Sequence, residues 1–79
     1  MGTIHFPSNP GDTSTYTAHS GQEVTLINKG PDTYEVRLQN DPNYVAVLRR
    51  DGDFFDLEPA PGVAAVGGTG LDEADLFRY

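Results

Sequence analysis

Seventy-nine residues make a single small domain, which buries only about 60–65% of the surface its unfolded chain exposes and so has a thin core. The absence of cysteine excludes disulfides and the common zinc ligand sets, so stability must come from a compact sheet core or from self-association. Twelve acidic against five basic residues leave a net charge of −7, a surface that repels nucleic acid.

In chain order, Met1 to Ser20 is rich in Thr, Ser, Pro, Gly and Asn, with short apolar moments at Ile4, Phe6 and Tyr16. Pro7-Ser-Asn-Pro10-Gly11-Asp12 reads as loop or turn, Thr15 to Ala18 as a short strand, and His19 to Gln22 as a turn. Glu23 to Asn28 carries Val24, β-branched Thr25, Leu26 and Ile27, a good strand composition. Asn28 to Asp32 is expected to form a five-residue loop. Thr33 to Gln39 alternates, with Tyr34, Val36 and Leu38 on one face and Glu35, Arg37 and Gln39 on the other. Asn40-Asp41-Pro42-Asn43 follows as a turn.

Tyr44 to Glu58 is the densest apolar stretch, folded about Asp51-Gly52. That dipeptide suits a type I′ hairpin turn, in which both central residues take positive φ. Counting outward pairs Arg50 with Asp53, Arg49 with Phe54, Leu48 with Phe55, Val47 with Asp56 and Ala46 with Leu57. One face then holds Tyr44, Ala46, Leu48, Phe55 and Leu57, closed by an Arg50–Asp53 charge pair. The other holds Val45, Val47, Arg49, Phe54, Asp56 and Glu58 and is half polar. Successive hairpins of this kind make a β-meander.

Pro59-Ala-Pro61-Gly62 ends the last of these strands, because proline donates no hydrogen bond to the ladder. Val63-Ala-Ala-Val66 reads as a short strand or helical turn, and Gly67-Gly68-Thr69-Gly70 as a linker. Leu71 to Tyr79 has a helical pattern with Thr69 or Asp72 as cap, acidic residues in the first turn and Arg78 in the last. Leu71, Ala74 and Phe77 would share a face. Nine residues are below the roughly 12–15 at which an isolated helix is even marginal, so the segment must dock or fray. The expected organisation is a barrel over residues 1–62, a Gly/Ala-rich linker over 63–70 and a short acidic helix or tail over 71–79.

Short strands with tight turns hide their sheet edges most readily by curling, so the fold class expected is all-β, a small antiparallel barrel of about five strands with a short C-terminal helix. Thr15 to Ile27, Tyr34-Glu35-Val36-Arg37-Leu38 and Asp51 to Glu58 carry loose patterns, "GQxVxV", "YxVRL" and "DGxxFDxxE". Over about half the chain these resemble the small bacterial SH3-like barrels. The resemblance implies that strand order and a role in binding peptides or nucleic acid, or none known. An acidic "EADL" segment lies between early strands in some of those proteins, whereas here Glu73-Ala74-Asp75-Leu76 closes the sequence. Glu73 to Phe77 has a second resemblance, to the pentapeptide by which replication proteins bind the bacterial sliding clamp. It implies that Leu76 and Phe77 anchor in a preformed pocket, although Glu73 stands where that consensus has Gln. Pentapeptide matches are common by chance, and the same residues better suit a helix docked on its own barrel or on a second copy.

No residue set points to a reaction. His5 and His19, the only histidines, both fall in loop-like segments, and there is neither a thiol nor a Gly-x-Ser-x-Gly elbow. Gly67 to Gly70 lacks the lysine and preceding strand of a phosphate-binding loop. Asp51, Asp53, Asp56 and Glu58 do not have EF-hand spacing, and Asp53 and Asp56 fall on opposite faces of the strand. A protein without catalysis, metal or cofactor is therefore expected. Lys29, Arg37, Arg49 and Arg50 are interleaved with carboxylates, so no direct nucleic-acid binding is expected. No apolar run approaches the roughly 18 residues of a membrane span and no signal pattern opens the sequence, so a cytoplasmic protein without membrane contact is expected.

What remains is recognition. Phe54 with Val45 and Val47 would form an apolar patch among carboxylates, suited to a protein or peptide partner or to a second copy of the chain. The same row would otherwise be buried in the barrel or under the C-terminal helix, since solvated it risks aggregation. The function expected is a non-catalytic protein-binding module using Val45, Val47 and Phe54. The alternative is an acidic inhibitor or regulator of mobile-element or phage type, acting through its acidic surface or through Leu76 and Phe77.

Overall fold

The alternating segments fold as six antiparallel strands in one sheet, each paired with the next, in a computed structural model that describes residues 4–59 and 67–79. They are β1 (Thr13–Thr17), β2 (Glu23–Gly30), β3 (Thr33–Leu38), β4 (Asp41–Asp51), β5 (Phe54–Glu58) and β6 (Gly68–Leu71). A 3₁₀ helix, Glu73–Arg78, follows. The protein is thus all-β with a short C-terminal helix, and it has one strand more than the sequence pattern predicts.

Alternation places the core on one face of this sheet. Tyr16, Val24, Leu26, Tyr34, Val36, Tyr44, Ala46, Leu48, Phe55 and Leu57 are all buried. A flat sheet of six strands would be about 25–30 Å wide and one layer thick, about 10 Å. The Cα envelope instead measures 28 × 26 × 24 Å, so the sheet curls on itself into a barrel-like form. Its edge strands, β1 and β6, are bridged by the two flanking segments. Tyr16 Oη donates to the Leu76 carbonyl at 2.7 Å and His19 N to the Phe77 carbonyl at 2.8 Å. On the other flank Ile4 N donates to Glu73 Oε1 at 3.0 Å, and Ser14 Oγ donates to the His5 carbonyl.

The main hairpin forms, with a register two residues from the predicted one. Leu48 pairs with Leu57, Arg50 with Phe55 and Asp51 with Phe54, so the turn is Gly52-Asp53 rather than Asp51-Gly52. Gly52 has φ +62° and Asp53 is not among the positive-φ residues, the sign pattern of a type II′ turn with glycine in its first central position. Because the shift is an even number of residues, every side chain keeps its predicted face. Leu48 and Phe55 are both buried, at 1% and 4% exposure, though they do not face each other directly. The predicted Arg50–Asp53 pair does not form, since Asp53 now lies in the turn.

The predicted five-residue loop after Asn28 shrinks to a two-residue turn, Pro31-Asp32, between paired Gly30 and Thr33. Proline fixes the first central φ and Asp32 takes φ +53° at the second, as a type II turn requires. The bulge between Asn28 and Gly30 absorbs the remaining residue.

The linker expectation also changes. Of residues 63–70, those to 66 lie outside the described residues, including Val63 to Val66, while Gly68–Leu71 is β6. Phe55 pairs with Leu71 and Leu57 with Gly68 across a bulge. Gly68 and Gly70, at φ +139° and +67°, bend the strand there at no side-chain cost, so the glycines read as flexibility serve sheet pairing.

The helix is 3₁₀ rather than α. Three residues per turn align Glu73, Leu76 and Tyr79, and it is Leu76 of this row that enters the core, while the predicted row of the same spacing, Leu71, Ala74 and Phe77, has its middle residue in solvent. Leu76 is 1% exposed and Ala74 faces solvent. Asp72 caps it in a reciprocal box: Asp75 N donates to Asp72 Oδ1 and Asp72 N to Asp75 Oδ2, both at 3.1 Å.

Candidate binding surfaces

On the outer face of the sheet, Ile27, Glu35, Val47 and Glu58 lie in one row across β2 to β5. Val45 and Val47 are both half-buried there. Glu35, opposite Val47 on β3, carries two cations, Arg37 Nε at 2.8 Å and Lys29 Nζ at 3.8 Å. Phe54 is the one exposed large hydrophobic side chain among the described residues, at 54%. Observed pairing sets it opposite Asp51, four residues along β4 from Val47, or about 13 Å at the usual strand rise. The continuous Val45/Val47/Phe54 patch expected from the sequence is therefore divided: the Arg49–Asp56 pair lies between valines and phenylalanine.

Leu76 and Phe77, the proposed anchors of a clamp-like tail, are engaged within the domain. Leu76 sits in the core and its carbonyl accepts from Tyr16. The Phe77 ring meets Tyr16 edge-on at 5.2 Å and lies parallel to the His19 ring at 5.8 Å. Glu73, where the clamp consensus has Gln, binds Ile4 N. Presenting these side chains to a partner would require undocking the helix.

Beneath the helix lies a tyrosine cluster. Tyr44 and Tyr79 share a hydroxyl–hydroxyl hydrogen bond of 3.0 Å, and Ser20 Oγ and Gln22 Nε2 both donate to the Tyr79 carbonyl. Loss of hydration on burial pushes the hydroxyls of Tyr16, Tyr44 and Tyr79 above the ordinary tyrosine range. Mutual repulsion of the charged forms adds to this at Tyr16 and Tyr79.

One end of the barrel opens into a groove of about 450 Å³, bounded by Phe6, Pro7, Pro10, Asn28, Tyr34 and Arg50. The sequence marks Phe6 as a short apolar moment, Pro7 as the start of a loop or turn and Arg50 as the partner of Asp53, a pair that does not form. Asn28, 5% exposed, builds this end: its Nδ2 donates to the Pro7 carbonyl at 2.7 Å and its Oδ1 accepts from Gly30 N at 2.8 Å. The Pro7 bond ties the N-terminal segment across the mouth. Phe6 stacks on Phe55 at 5.3 Å and 16°, and tilts against Tyr34 at 5.3 Å and 50°. A polar asparagine closing an otherwise apolar strand row, Val24, Leu26, Asn28, is the sequence signal by which this end could have been found.

The remaining candidates occupy surface positions. Asp51 and Asp53 are exposed, Glu58 pairs with Arg49 at 3.4 Å, and Asp56 accepts from Gly70 N at 3.4 Å. His5 and His19 are exposed and have no neighbouring carboxylate ion pair among the described residues. Among the described residues no group of three or more His, Asp or Glu could hold a metal, and no helix is long and apolar enough to cross a membrane. Compared with known family models, curated proteins and solved structures, the chain matches none.

Proposed function

We propose that this barrel, of the SH3-like kind, is a non-catalytic module that binds a protein or peptide through the outer face of the β4–β5 hairpin. The observation that supports the reading is Phe54, a solvated aromatic ring opposite Asp51 at the start of β5, beside the two-residue turn. Ordering a ring already fixed on a strand costs little entropy, and buried aromatics dominate interface energetics. Val45 and Val47, about 13 Å away, do not touch it, but a partner of ordinary size covers about 800 Å², a disc roughly 32 Å across. One partner therefore spans both. Its chemistry should complement this surface: a recess for the ring, with basic groups facing Asp51, Asp53 and Glu58.

A partner recovered by affinity capture would be titrated against the wild type, Phe54→Ala and Val47→Asp. Loss of a central aromatic anchor is worth about 2 kcal/mol or more, roughly a 30-fold weakening. Unchanged affinity in both variants, with the fold intact by circular dichroism, would remove the hairpin face from the interface. Sedimentation of the free protein tests whether that partner is a second copy.

A further inference from the structure

The groove at the barrel mouth presents an unpaired cation on an aromatic floor. Of the five basic side chains, four have a carboxylate within 4.0 Å: Lys29 and Arg37 share Glu35, Arg49 has Glu58 and Arg78 has Asp75. Arg50 has none among the described residues. In a chain with twelve acidic residues, surface cations pair easily, so its isolation is a consequence of where it is held. Its guanidinium carbon lies 5.6 Å from the Phe6 ring centroid and 6.0 Å from that of Phe55. The register that sets Arg50 opposite Phe55 puts it there. A guanidinium laid on rings keeps its planar fork of N–H donors free at the edge, and that fork matches a carboxylate.

We propose that this groove binds a carboxylate carried within a few bonds of an aromatic or apolar group, the acid on Arg50 and the apolar part against Phe6 and Tyr34. The site is separate from the Phe54 face and does not rest on that reading. About 450 Å³ lies at the lower end of the range usual for ligand pockets, room for a phenylalanine-sized acid or the last residues of a peptide. Proline at three points of the rim, Pro7, Pro10 and Pro31, and the Asn28 bond to Pro7 hold the mouth open before a ligand arrives. The net charge of −7 opposes an incoming anion only weakly at physiological salt, where fields fade over about 8 Å. The local opponent is Asp32, which lines the same groove and whose carbonyl accepts from Arg50 N at 2.8 Å. Its carboxylate makes no ion pair with Arg50, but as a negative charge on the same groove it opposes the incoming acid.

Amide chemical shifts of the full chain would be followed against three probes: 3-phenylpropanoate, acetyl-Gly-Gly-Phe with a free C-terminal carboxylate, and the same peptide as its C-terminal amide. The expected result is saturable shifts at Asn28, Gly30, Asp32 and Arg50 with a carboxylate probe, and affinity at least about tenfold lower for the amide. Equal binding of both acids identifies a small-acid site, and preference for the peptide identifies a chain end. Arg50→Gln should lose about the same factor, Arg50→Lys should recover part of it, and Asp32→Asn should bind more tightly. Asparagine tolerates the positive φ at position 32, so that variant tests the site even if Arg50→Gln does not fold. No shifts with either acid at about 5 mM, where a millimolar complex would be mostly formed, overturns the proposal. So does equal binding of acid and amide, or an affinity indifferent to all three substitutions.

Discussion

Leu76→Ala separates a docked helix from a free tail. The side chain is 1% exposed, and truncating a leucine buried to that degree costs about 3–5 kcal/mol in lost transfer energy and residual cavity. At roughly 0.05–0.15 kcal/mol per residue, a 79-residue domain has about 4–12 kcal/mol in total, so this one change removes a large fraction of it. At about 4–8 °C per kcal/mol for a domain of this size, a loss of 3 kcal/mol lowers Tm by about 12–24 °C. Urea unfolding followed by circular dichroism measures it. The midpoint should fall with the slope unchanged, since the unfolded chain is the same. Phe77→Ala, at a half-buried position, should cost less. A loss under about 0.5 kcal/mol for Leu76→Ala, the range of surface substitutions, would refute the docking and restore the tail as a recognition segment.

Gly52→Ala meets no atom within 4 Å, so its penalty is conformational alone: about 1–2 kcal/mol for a Cβ at φ +62°, read as a shifted urea midpoint. A cost near zero would place the turn elsewhere. Asn28→Ala should cost about 2–3 kcal/mol, because it deletes two hydrogen bonds at a buried site and leaves the Pro7 carbonyl unpaired. It should also speed proteolysis within residues 5–11, and an unaltered digest would show that Asn28 does not tie down that segment. Alkali should unfold the protein, since Tyr16, Tyr44 and Tyr79 are all held above the ordinary value of 10.0 by burial. The unfolded chain then ionises first as pH rises. Stability is full below pH 10 and falls above it, by at most about 1.4 kcal/mol per pH unit for each tyrosine so held. Tyrosinate absorbance should rise together with the loss of the dichroism signal, and ionisation of all tyrosines at the ordinary midpoint in a folded sheet would contradict this.

The fold was legible where burial enforces a period of two. Val24 and Leu26, Tyr34 and Val36, Tyr44, Ala46 and Leu48 alternate inward as their spacing implies, because a single-residue slip would expose the whole row. What stayed illegible has no such periodicity. Gly68–Leu71 carries the composition of a spacer, and only its pairing with β5 makes it a strand. The 3₁₀ segment is turned so that carbonyls 76 and 77 meet Tyr16 Oη and His19 N, a tertiary demand that sends Leu76 into the core and leaves Ala74 of the expected row exposed. The outer face was legible as to which residues it holds, but not as to their neighbours along the strand. An even slip leaves the faces intact while separating Phe54 from Val47.

That slip has an energetic reason, and the barrel mouth follows from it. In the predicted register Arg50 would face Asp53, an exposed ion pair worth about 0–1 kcal/mol. In the observed one Arg50 faces Phe55 and covers the Phe6–Phe55 stack. An aromatic pair is worth about 0.5–1.5 kcal/mol and a cation over its ring about 0.5–1 kcal/mol more. The balance favours the observed pairing by about 1 kcal/mol, while Asp51 and Phe54 simply replace Arg50 and Asp53 as the pair flanking the turn. Glycine serves either turn, so the Asp51-Gly52-Asp53 sequence does not decide between them. The decision comes from Phe6, some fifty residues upstream, held in place by Asn28 through the Pro7 carbonyl. A hairpin that looks local is thus registered by a distant ring, and Arg50, which that choice leaves without a carboxylate partner among the described residues, faces the open groove.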